Sequence, residues 1–421
     1  MTPEVRDRIE QIQHGNVPEG YKKGKYNVMP LGWSEEALSN LSDNITKGAT
    51  PTTYGHTWVN DGVLFLKSDC VSDNGFVNRE PVYISEDAHK MMNRSVVRAG
   101  DILISITGYL GKVGLVPSYI QEANINQHIA RVRPFEDRCN PAFVYYYLDT
   151  NPIKRWFDVI QTGQAYPQLS LEQIREIKVP VPQITEQQRI AEILTTQDKV
   201  IELKEKQLAE KQRQKKYLMQ QLLTGKKRLP GFDGEWKQEK LGKLFAERSE
   251  TKCEHLELLA ITGTQGVIPR SLLDLKDNSS EDKSKYLHIC VGDIGYNTMR
   301  MWQGVSAYSN YDGIVSPAYT ILKPKGNINA KYFAYLFKMP EVVFLFYRYS
   351  QGLVDDTRNL KYENFKKISV TYPENIEEQN AIVSILENAD KEIDLLRQDI
   401  EQEKQKKKAL MQLLLTGIVR V

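Results

Sequence analysis

Two stretches of the chain repeat a residue pattern every seven positions, which is typical of coiled coils. In the first stretch the positions are Leu194, Ile201, Leu208, Lys215 and Leu222, and in the second they are Leu386, Ile393, Ile400, Lys407 and Leu414. A sustained seven-residue stripe of apolar residues predicts a helix that packs its seam against a partner helix. We therefore predict one long helix in residues 184–225 and another in 376–421, paired with each other as an antiparallel coiled coil. The alternative is a coiled coil between two copies of the chain.

The two predicted helices belong to an internal duplication. Residues 184–225 align with 376–417 without a gap, and nearly half of the positions are identical. Both stretches follow an X-Pro segment, contain no internal Pro or Gly, and end at Gly225 or Gly417, as expected of complete helices. Self-similarity over this length indicates a duplicated unit.

The segments that precede the two helices also correspond, although more weakly. Trp33 corresponds to Trp236, Gly100-Asp101-Ile102 to Gly292-Asp293-Ile294, and the stretch from Asn140 to that from Asn329. The framework therefore repeats, whereas residues 107–130 and 296–319 differ between the copies. Two similar scaffolds with different loops predict two related tasks on two different targets.

Composition and charge exclude several classes of protein. The chain has 421 residues, 41% of them hydrophobic and 26% charged, which is typical of a folded protein with two or three domains. The net charge of +2 does not exclude nucleic-acid binding, because a local basic groove is sufficient. The first residues lack the apolar segment of a signal peptide, so we expect a cytoplasmic protein.

The four cysteines are dispersed and contain no CxxC pair. They are Cys70, Cys139, Cys253 and Cys290. This spacing predicts reduced thiols rather than disulfides or a zinc knuckle, and we predict no metal site from it.

Two short motifs resemble catalytic signatures, but each has a structural explanation. The sequence "NPAF" from Asn140 is close to the Asn-Pro-Pro-Phe motif of amino-group DNA methyltransferases, yet Asn as a helix cap followed by Pro explains the same letters. The sequence "GYLGKVG" from Gly108 matches neither common phosphate-binding pattern, and we predict a glycine-rich turn, with a loop that approaches DNA as the alternative. The basic runs at Lys211 and Lys404 predict a solvated helix face, with contact to a partner or to DNA as the alternative.

The order of these features resembles the specificity subunit of type I restriction-modification systems. The residues that carry the resemblance are the paired "EQ" helix starts at Glu186 and Glu378, the paired "LLTG" helix ends, and "KRLPGFDGEW" from Lys227. The segments "TKGATPTT", "GDILIS" and "INQHIARVRP" of the first half add to it. The first half lacks an "LPGF" of its own, which leaves the start of its first domain undefined.

The resemblance implies an α+β fold in which two α/β target recognition domains alternate with two long helices in a pseudo-two-fold arrangement. The predicted segments are an N-terminal segment (1–30), recognition domain 1 (31–183), spacer helix 1 (184–225), recognition domain 2 (226–375) and spacer helix 2 (376–421). Because Gly225 leads into the second domain whereas Gly417 is followed by only four residues, we predict a circular pseudo-symmetry that is interrupted at the termini.

The resemblance further implies a DNA-binding protein without catalytic activity of its own. Each recognition domain would read one half of a bipartite double-stranded DNA target, and the coiled coil would set the gap between the halves. Two modification subunits, which methylate adenine, and ATP-dependent restriction subunits would dock on this chain. S-adenosylmethionine, ATP and Mg²⁺ would bind to those partners and not to this chain. The alternatives are a fused methyltransferase-nuclease and a coiled-coil scaffold without a DNA role.

Candidate DNA-binding residues are polar, basic or aromatic side chains in the predicted loops. In the first domain they are Lys47, Thr52, Thr53, Tyr54, Lys67, Tyr109, Lys112, Gln127, His128, Gln164 and Tyr166. In the second domain they are Thr262, Gln265, Arg270, Asn297, Arg300, Trp302, Arg348 and Arg358. Arg300 is of particular interest because an arginine can donate two hydrogen bonds to guanine, whereas the alternative is a surface arginine beside a half-buried Trp302.

Overall fold

The computed structural model describes residues 2–163, 167–263, 265–273 and 282–421, apart from the side chain of Asp356. The chain divides into two compact units. Unit 1 comprises Met1–Lys204 with Asp399–Val421, and unit 2 comprises Glu205–Gln398. No helix in the described part of the chain combines the length and the apolar character needed to cross a membrane.

Strands are short and numerous, whereas two helices are much longer than the rest. The helices are α1 (Pro3–Gln13), α2 (Glu86–Met91), α3 (Pro141–Leu148), α4 (Asn151–Ile160), α5 (Leu171–Arg175), α6 (Ile184–Leu222), α7 (Leu241–Leu244), α8 (Ala330–Leu336), α9 (Pro340–Tyr349), α10 (Tyr362–Phe365) and α11 (Ile376–Leu415). The strands that precede α6 are β1 (Tyr21–Lys23), β2 (Val28–Pro30), β3 (Ser34–Ala37), β4 (Ser42–Lys47), β5 (Trp58–Val59), β6 (Val63–Leu66), β7 (Val71–Ser72), β8 (Gly75–Phe76), β9 (Val82–Ile84), β10 (Val96–Val97), β11 (Ile102–Ser105), β12 (Val113–Leu115), β13 (Ala123–Ile125), β14 (Ile129–Pro134) and β15 (Lys178–Val181). The strands that follow α6 are β16 (Trp236–Lys240), β17 (Phe245–Arg248), β18 (Leu259–Thr262), β19 (Gly266–Pro269), β20 (Leu287–Ile289), β21 (Ile294–Asn297), β22 (Ser306–Tyr308), β23 (Gly313–Val315), β24 (Tyr319–Pro324) and β25 (Ser369–Pro373). The α+β class is thus confirmed.

The two units contain the same central sheet. In unit 1 the strand order is β12-β11-β14-β4, and in unit 2 the order β22-β21-β24-β17 repeats it strand for strand. A second sheet of unit 1 has the order β10-β13-β6-β9-β5, while the corresponding part of unit 2 retains the pairs β20-β23 and β18-β19. The predicted duplication of the framework is therefore visible in the strand topology.

Each unit has its own core, in which the central sheet packs against a helical hairpin. In unit 1 the hairpin is α3 and α4, and Phe143, Leu148 and Ile153 are completely or almost completely buried. In unit 2 the hairpin is α8 and α9, and its buried residues include Phe333 and Phe346. Burial of apolar surface contributes about 25 cal/mol per Å², so such a core is the main stabilising contribution in each unit.

Both long helices form as predicted, and parts of them pair within each unit. In unit 1 Gln197 donates a hydrogen bond of 2.7 Å to Glu403, and Lys204 contacts Asp399 at 2.5 Å. The order of these contacts is antiparallel. In unit 2 the corresponding antiparallel contacts are Lys211 to Glu392, at 2.6 Å, and Lys215 to Asp390.

The predicted seam positions lie on the faces that pair. Leu208 is half-buried, whereas the other apolar seam residues are buried. These buried residues are Leu194, Ile201, Leu222, Leu386, Ile393, Ile400 and Leu414. The helices end before the predicted glycines, and Gly225 and Gly417 have the positive φ angles, 70° and 69°, of a left-handed cap.

The "EQ" pair at the start of each long helix fixes that helix to its own unit. Gln187 donates to the Pro182 carbonyl at 2.9 Å and accepts from the Asn140 backbone N–H at 2.8 Å. In the same way, Gln379 donates to the Pro373 carbonyl at 2.9 Å and accepts from the Asn329 backbone N–H at 2.8 Å. A buried amide that is hydrogen-bonded at both its oxygen and its nitrogen orients the helix relative to the adjacent hairpin.

Candidate nucleic-acid interface

The loop "TKGATPTT" of unit 1 lies against the loop that follows β13. A Cβ atom on Gly48 would lie 1.8 Å from the Ile125 carbonyl oxygen, so only glycine allows the two backbones to approach this closely. Ala49 donates to the same carbonyl at 3.2 Å. The glycine of this motif therefore holds the loop next to Gln127 and His128.

A chain of polar side chains connects three loops of unit 1. Thr50 donates to Gln127 Oε1 at 2.5 Å, and Gln127 Nε2 lies 3.1 Å from His128 Nε2. His128 Nδ1 in turn lies 2.5 Å from the Thr107 hydroxyl. Gln127 and His128 are among the residues predicted from the sequence, whereas Thr50 and Thr107 are not, because contacts between distant loops leave no periodic signal in the sequence. These hydrogen bonds hold the Gln127 and His128 side chains in place.

The turn between β11 and β12 carries Tyr109 and Lys112 beside this network. Tyr109 is 82% exposed, and Lys112 Nζ lies 4.9 Å from the centre of its ring. Lys112 also forms an ion pair of 3.1 Å with Asp73. The turn is glycine-rich as predicted, with positive φ at Gly108 and Gly111. An exposed aromatic ring with an adjacent ammonium group can contact both a base and a phosphate.

The remaining described candidates of unit 1 lie at the end of β4, in the turn that follows β4, and directly after β6. Thr52, Thr53 and Tyr54 are exposed in the 3-10 turn Pro51–Tyr54. Lys47 is exposed at the end of β4, and Lys67 is half-buried next to Leu66, whose carbonyl accepts from Asn126 at 3.2 Å. Gln164 and Tyr166 lie outside the described residues. We call the described candidates of unit 1, together with Thr50 and Thr107, loop cluster 1.

In unit 2 the corresponding turn connects β21 to β22 and carries Asn297, Arg300 and Trp302. The correspondence is supported by a shared hydrogen bond, because Leu169 donates to the Ile106 carbonyl at 3.0 Å and Leu360 donates to the Thr298 carbonyl at 2.8 Å. Asn297 accepts from the Met299 N–H at 2.9 Å and so shapes the turn. Arg300 is exposed and Trp302 is half-buried.

Arg358 of unit 2 already has partners within its unit. Its guanidinium lies 4.0 Å from the centre of the Tyr347 ring, donates to the Tyr347 hydroxyl at 2.9 Å and to Asp355 at 2.8 Å. Trp302 contacts the same tyrosine ring at 6.3 Å between ring centres. Tyr347, which sequence analysis did not select, therefore connects Trp302 to Arg358.

The other candidates of unit 2 lie at the ends of neighbouring elements. Arg348 is exposed near the end of α9, Gln265 is exposed after β18, and Arg270 is half-buried after β19. Thr262 accepts from the Gln265 N–H at 2.8 Å and donates to the Gly266 carbonyl at 3.0 Å, which closes the β18-β19 turn. We call the candidates of unit 2, together with Tyr347, loop cluster 2.

The "NPAF" motif has the structural role of a helix cap. The Asn140 side chain accepts from the Phe143 N–H at 3.1 Å, and Pro141 occupies the first turn of α3. Asn329 caps α8 in the same way without a following proline. The capping interpretation of Asn140 is confirmed.

The basic runs of the long helices contribute to pairing contacts. Lys215 contacts Asp390 and lies 5.3 Å from the centre of the Tyr335 ring, whose hydroxyl donates to Asp390 at 2.7 Å. In unit 1 Lys407 contacts Asp198 at 2.6 Å and lies 5.5 Å from the centre of the Tyr146 ring. The seam lysines therefore belong to polar clusters, whereas neighbours such as Lys216 are exposed.

The structural and sequence comparisons identify relatives of one kind. A family model described as "Type I restriction modification DNA specificity domain" matches residues 30–212 and 260–405. The chain is 26% identical over 217 residues to the type I restriction enzyme MjaVIII specificity subunit of Methanocaldococcus jannaschii, a match that covers 51% of this chain and 50% of that protein. It is 28% identical over 167 residues to the EcoBI specificity subunit of Escherichia coli, covering 39% and 34%. These two matches span half or less of the relatives' length.

A further relative matches over nearly the whole chain. It is the putative type I restriction enzyme MjaX specificity subunit of M. jannaschii, 23% identical over 433 residues, with 96% of this chain and 97% of that protein covered. Among solved structures, the S subunit of a type I restriction-modification system from M. genitalium has a TM-score of 0.57 at 14% identity and covers 94% of this chain and 98% of that one. A chain from a study of the assembly and conformational transition of the type I R-M system has a TM-score of 0.57 at 17% identity and covers 93% and 99%. At these identities the structural likeness shows the fold.

Proposed function

The chain belongs to the type I restriction modification DNA specificity family, and we propose on this basis that it recognises a bipartite sequence in double-stranded DNA through loop clusters 1 and 2. The observation that carries the proposal is the pair of corresponding turns on the repeated central sheet. In unit 1 the turn carries Tyr109 and Lys112, and in unit 2 it carries Arg300 and Trp302. A retained scaffold with different exposed side chains at the same turn is the expected result of two domains that read different bases.

The residue types in the clusters suit two kinds of DNA contact. Lysines such as Lys47 and Lys112 bind phosphates and set affinity, whereas Arg300 and Gln127 have the donors and acceptors needed to read base edges. One recognition domain of this size discriminates between DNA sequences to a limited extent, by about 1 to 3 kcal/mol per wrong base pair. Covalent connection of two modules lets the second bind at high effective concentration, which multiplies the selectivity.

We also propose that the paired helices act as the spacer between the two half-sites, because a helical pair is stiff where a Gly/Ser linker is flexible. In this proposal the chain has no catalytic activity. Two methyltransferase subunits and the ATP-dependent restriction subunits dock on it, and they bind S-adenosylmethionine, ATP and Mg²⁺. The capping role of Asn140 supports a non-catalytic chain, because it accounts for the one motif that resembled a methyltransferase.

The test is an exchange of one recognition domain. Residues 31–183 are replaced with the corresponding domain of another specificity subunit, the chimera is expressed with the modification subunits of the host, and the methylated sequence is read by methylome sequencing. We expect one half of the target to change and the other half to stay the same. A change in both halves would contradict independent reading by the two domains.

Two measurements distinguish the proposal from the other function classes. Methyl transfer by the purified chain without partners would favour the fused enzyme. Binding of the purified complex to its duplex should weaken roughly a thousandfold between 50 and 200 mM salt if about six phosphates are neutralised. Salt-independent or undetectable binding would favour a scaffold without a DNA role.

A further inference from the structure

Three separate segments of unit 2 bring metal-ligating side chains together. Among the described residues, Glu250, Cys253 and His288 form one group of closely spaced donor atoms, and His288, Cys290 and Asp312 form another. His288 lies on β20, Glu250 follows β17, and Asp312 precedes β23. Glu250 and Asp312 are 38 and 24 residues away from His288 in the sequence. At such separations no spacing motif indicates that these residues form a cluster.

The His288 ring has a carboxylate on each nitrogen and a thiol beside it. Its Nε2 lies 2.7 Å from Asp312 Oδ1 and 3.5 Å from Cys290 Sγ. Its Nδ1 lies 2.9 Å from Glu250 Oε2, and the His288 backbone N–H donates to the Glu250 carbonyl at 2.9 Å. The histidine side chain is only 14% exposed, whereas the two carboxylates are more than half exposed. The ring is therefore held in place while its surroundings remain accessible to an ion.

We propose that this cluster is a Zn²⁺ site in which His288 Nε2, Cys290 Sγ and an Asp312 carboxylate oxygen are the protein ligands. The carboxylate of Glu250 accepts a hydrogen bond from Nδ1–H and fixes the ring orientation. A water molecule completes the tetrahedron. Thiolate, imidazole and carboxylate form a ligand set that zinc accepts readily.

The donor atoms lie close enough together to bind one zinc ion after two side chains rearrange. Ligands at about 2.3 Å for sulfur and about 2.0 Å for nitrogen in tetrahedral geometry lie about 3.5 Å apart, which equals the distance between Cys290 Sγ and His288 Nε2. The sulfur is also 3.9 Å from Nδ1, so the Cys290 side chain must turn from beside the ring toward the outward side of Nε2. Asp312 is hydrogen-bonded to the ring at 2.7 Å and must move back by several tenths of an ångström to coordinate a metal. Its side chain is 56% exposed, so this movement meets little resistance.

The local charges also suit a dication. A thiolate and one carboxylate balance the two positive charges of zinc, and Glu250 provides the hydrogen-bonded carboxylate that zinc-binding histidines commonly have. Arg248 is the neighbouring cation, with Nη1 3.5 Å from Glu250, but its guanidinium is paired with Asp293 at 2.7 Å. Zinc would connect the segment after β17, the strand β20 and the turn before β23, and would so stabilise this side of unit 2.

The experiment is a zinc titration of the full chain after removal of metals, in competition with a chromophoric chelator and without DNA. Co²⁺ substitution provides an independent readout, because a cysteine ligand gives a thiolate-to-cobalt charge-transfer band. We expect one equivalent of Zn²⁺ to bind and the band to appear. Cys290→Ser and His288→Gln should abolish both signals, and Glu250→Gln should weaken binding roughly 10- to 100-fold.

Cys253→Ser is the matched control, because Cys253 lies on the Glu250 side of the ring and is not a ligand in this arrangement. It should leave zinc affinity and the cobalt band unchanged, and circular dichroism shows that each variant is folded. The proposal is overturned if the metal-free chain takes up no stoichiometric zinc, or if Cys253→Ser removes the band while Cys290→Ser retains it. Neither result depends on the proposed DNA recognition.

Discussion

At the scale of residues, corresponding positions of the two units separate into those that retain their chemistry and those that change. Tyr146 and Tyr335 both donate to an aspartate of a long helix, at 2.8 and 2.7 Å. Tyr109 and Arg300, in contrast, differ at corresponding turns, and both are exposed. The tyrosine that contacts the long helix is retained, whereas the exposed residue of the turn differs, which is consistent with the proposed recognition of different bases.

Arg300→Ala tests whether an exposed residue of the turn reads DNA. We expect binding of the complex to its duplex to weaken by about 1 to 3 kcal/mol, because a bidentate contact with a base is lost. Methylation should become less selective in one half of the target. Fluorescence anisotropy and methylome sequencing measure these effects. Arg397→Ala is the control, since Arg397 is exposed on α11 and pairs with Asp394; equal effects of both variants would contradict the role of Arg300.

Lys338 provides a prediction of pH dependence in unit 2. It donates to the carbonyls of Gly304, at 2.7 Å, and Ser306, at 2.5 Å. Burial, with a smaller contribution from the charge of Lys215, lowers the pKa of Lys338 from 10.5 to about 8. At a pH between about 8 and 10.5, Lys338 is more fully protonated in the unfolded chain than in the folded chain. The free energy of unfolding should therefore rise with pH above about 8.

Lys338→Met should flatten this rise. Urea unfolding from about pH 7 to about pH 9.5 measures it, and the slope rather than the absolute stability is compared, because the variant also loses two hydrogen bonds. The full effect of the shifted pKa is up to about 3 kcal/mol. Lys367→Met, at an exposed lysine, should retain the slope of the unchanged protein. A slope in Lys338→Met that equals or exceeds that of the unchanged protein would contradict the lowered pKa.

At the scale of elements, the two long helices are the part of the fold that sequence predicted best. Heptad positions and terminal glycines carry a strong local signal, and α6 and α11 form as single helices of 39 and 40 residues. The side chains that join distant segments had no such signal. Thr50, after β4, and Gln127, before β14, come together because β4 and β14 pair in the central sheet. Glu250 and His288 come together although β17 and β20 belong to different sheets. The turn that carries Tyr109 was therefore predictable from its glycines, whereas the hydrogen-bonded partners of the candidates were not. Candidates that were predicted in loops but lie within strands or a helix are Lys47, Thr262, Asn297 and Arg348.

A matched heptad insertion tests whether α6 and α11 act as the spacer. One heptad is inserted after Lys204 in α6 and one before Asp399 in α11, residues whose side chains are 2.5 Å apart. Because both helices lengthen by about 10 Å, the seam is kept and the unread gap should grow by roughly three base pairs. Methylome sequencing measures the gap.

Insertion into α6 alone is the control for this design. It leaves seven residues without a facing partner, so we expect lower stability and no defined longer gap. An unchanged gap in the matched variant, with methylation retained, would show that the helices do not determine the spacing.

At the scale of the whole molecule, the segment after α11 makes contacts in unit 1 that match those of the segment after α6 in unit 2. Arg228, just after α6, binds Glu378 at 2.6 and 2.7 Å and lies 5.7 Å from the centre of the Trp236 ring. Arg420, just after α11, binds Glu186, and its guanidinium lies 5.6 Å from the centre of the Trp33 ring. Within unit 1 the Tyr21 hydroxyl also donates to the Gly417 carbonyl at 2.9 Å. The contacts that complete each unit are thus equivalent, as a circular pseudo-symmetry predicts.

Matched variants of the two arginines test this equivalence. Arg228→Ala leaves Glu378, whose side chain is only 2% exposed, without its ionic partner, and loss of one partner from such a pair costs about 3 kcal/mol or more. Arg420 is 50% exposed, so Arg420→Ala should cost less, because solvent screens the pair. Hydrogen exchange followed by mass spectrometry reports both units in one sample. We expect Arg228→Ala to lower protection only within residues 205–398, and Arg420→Ala only within 1–204 and 399–421. Each variant serves as the control for the other. Loss of protection throughout the chain in either variant would show that the two units are not stabilised independently.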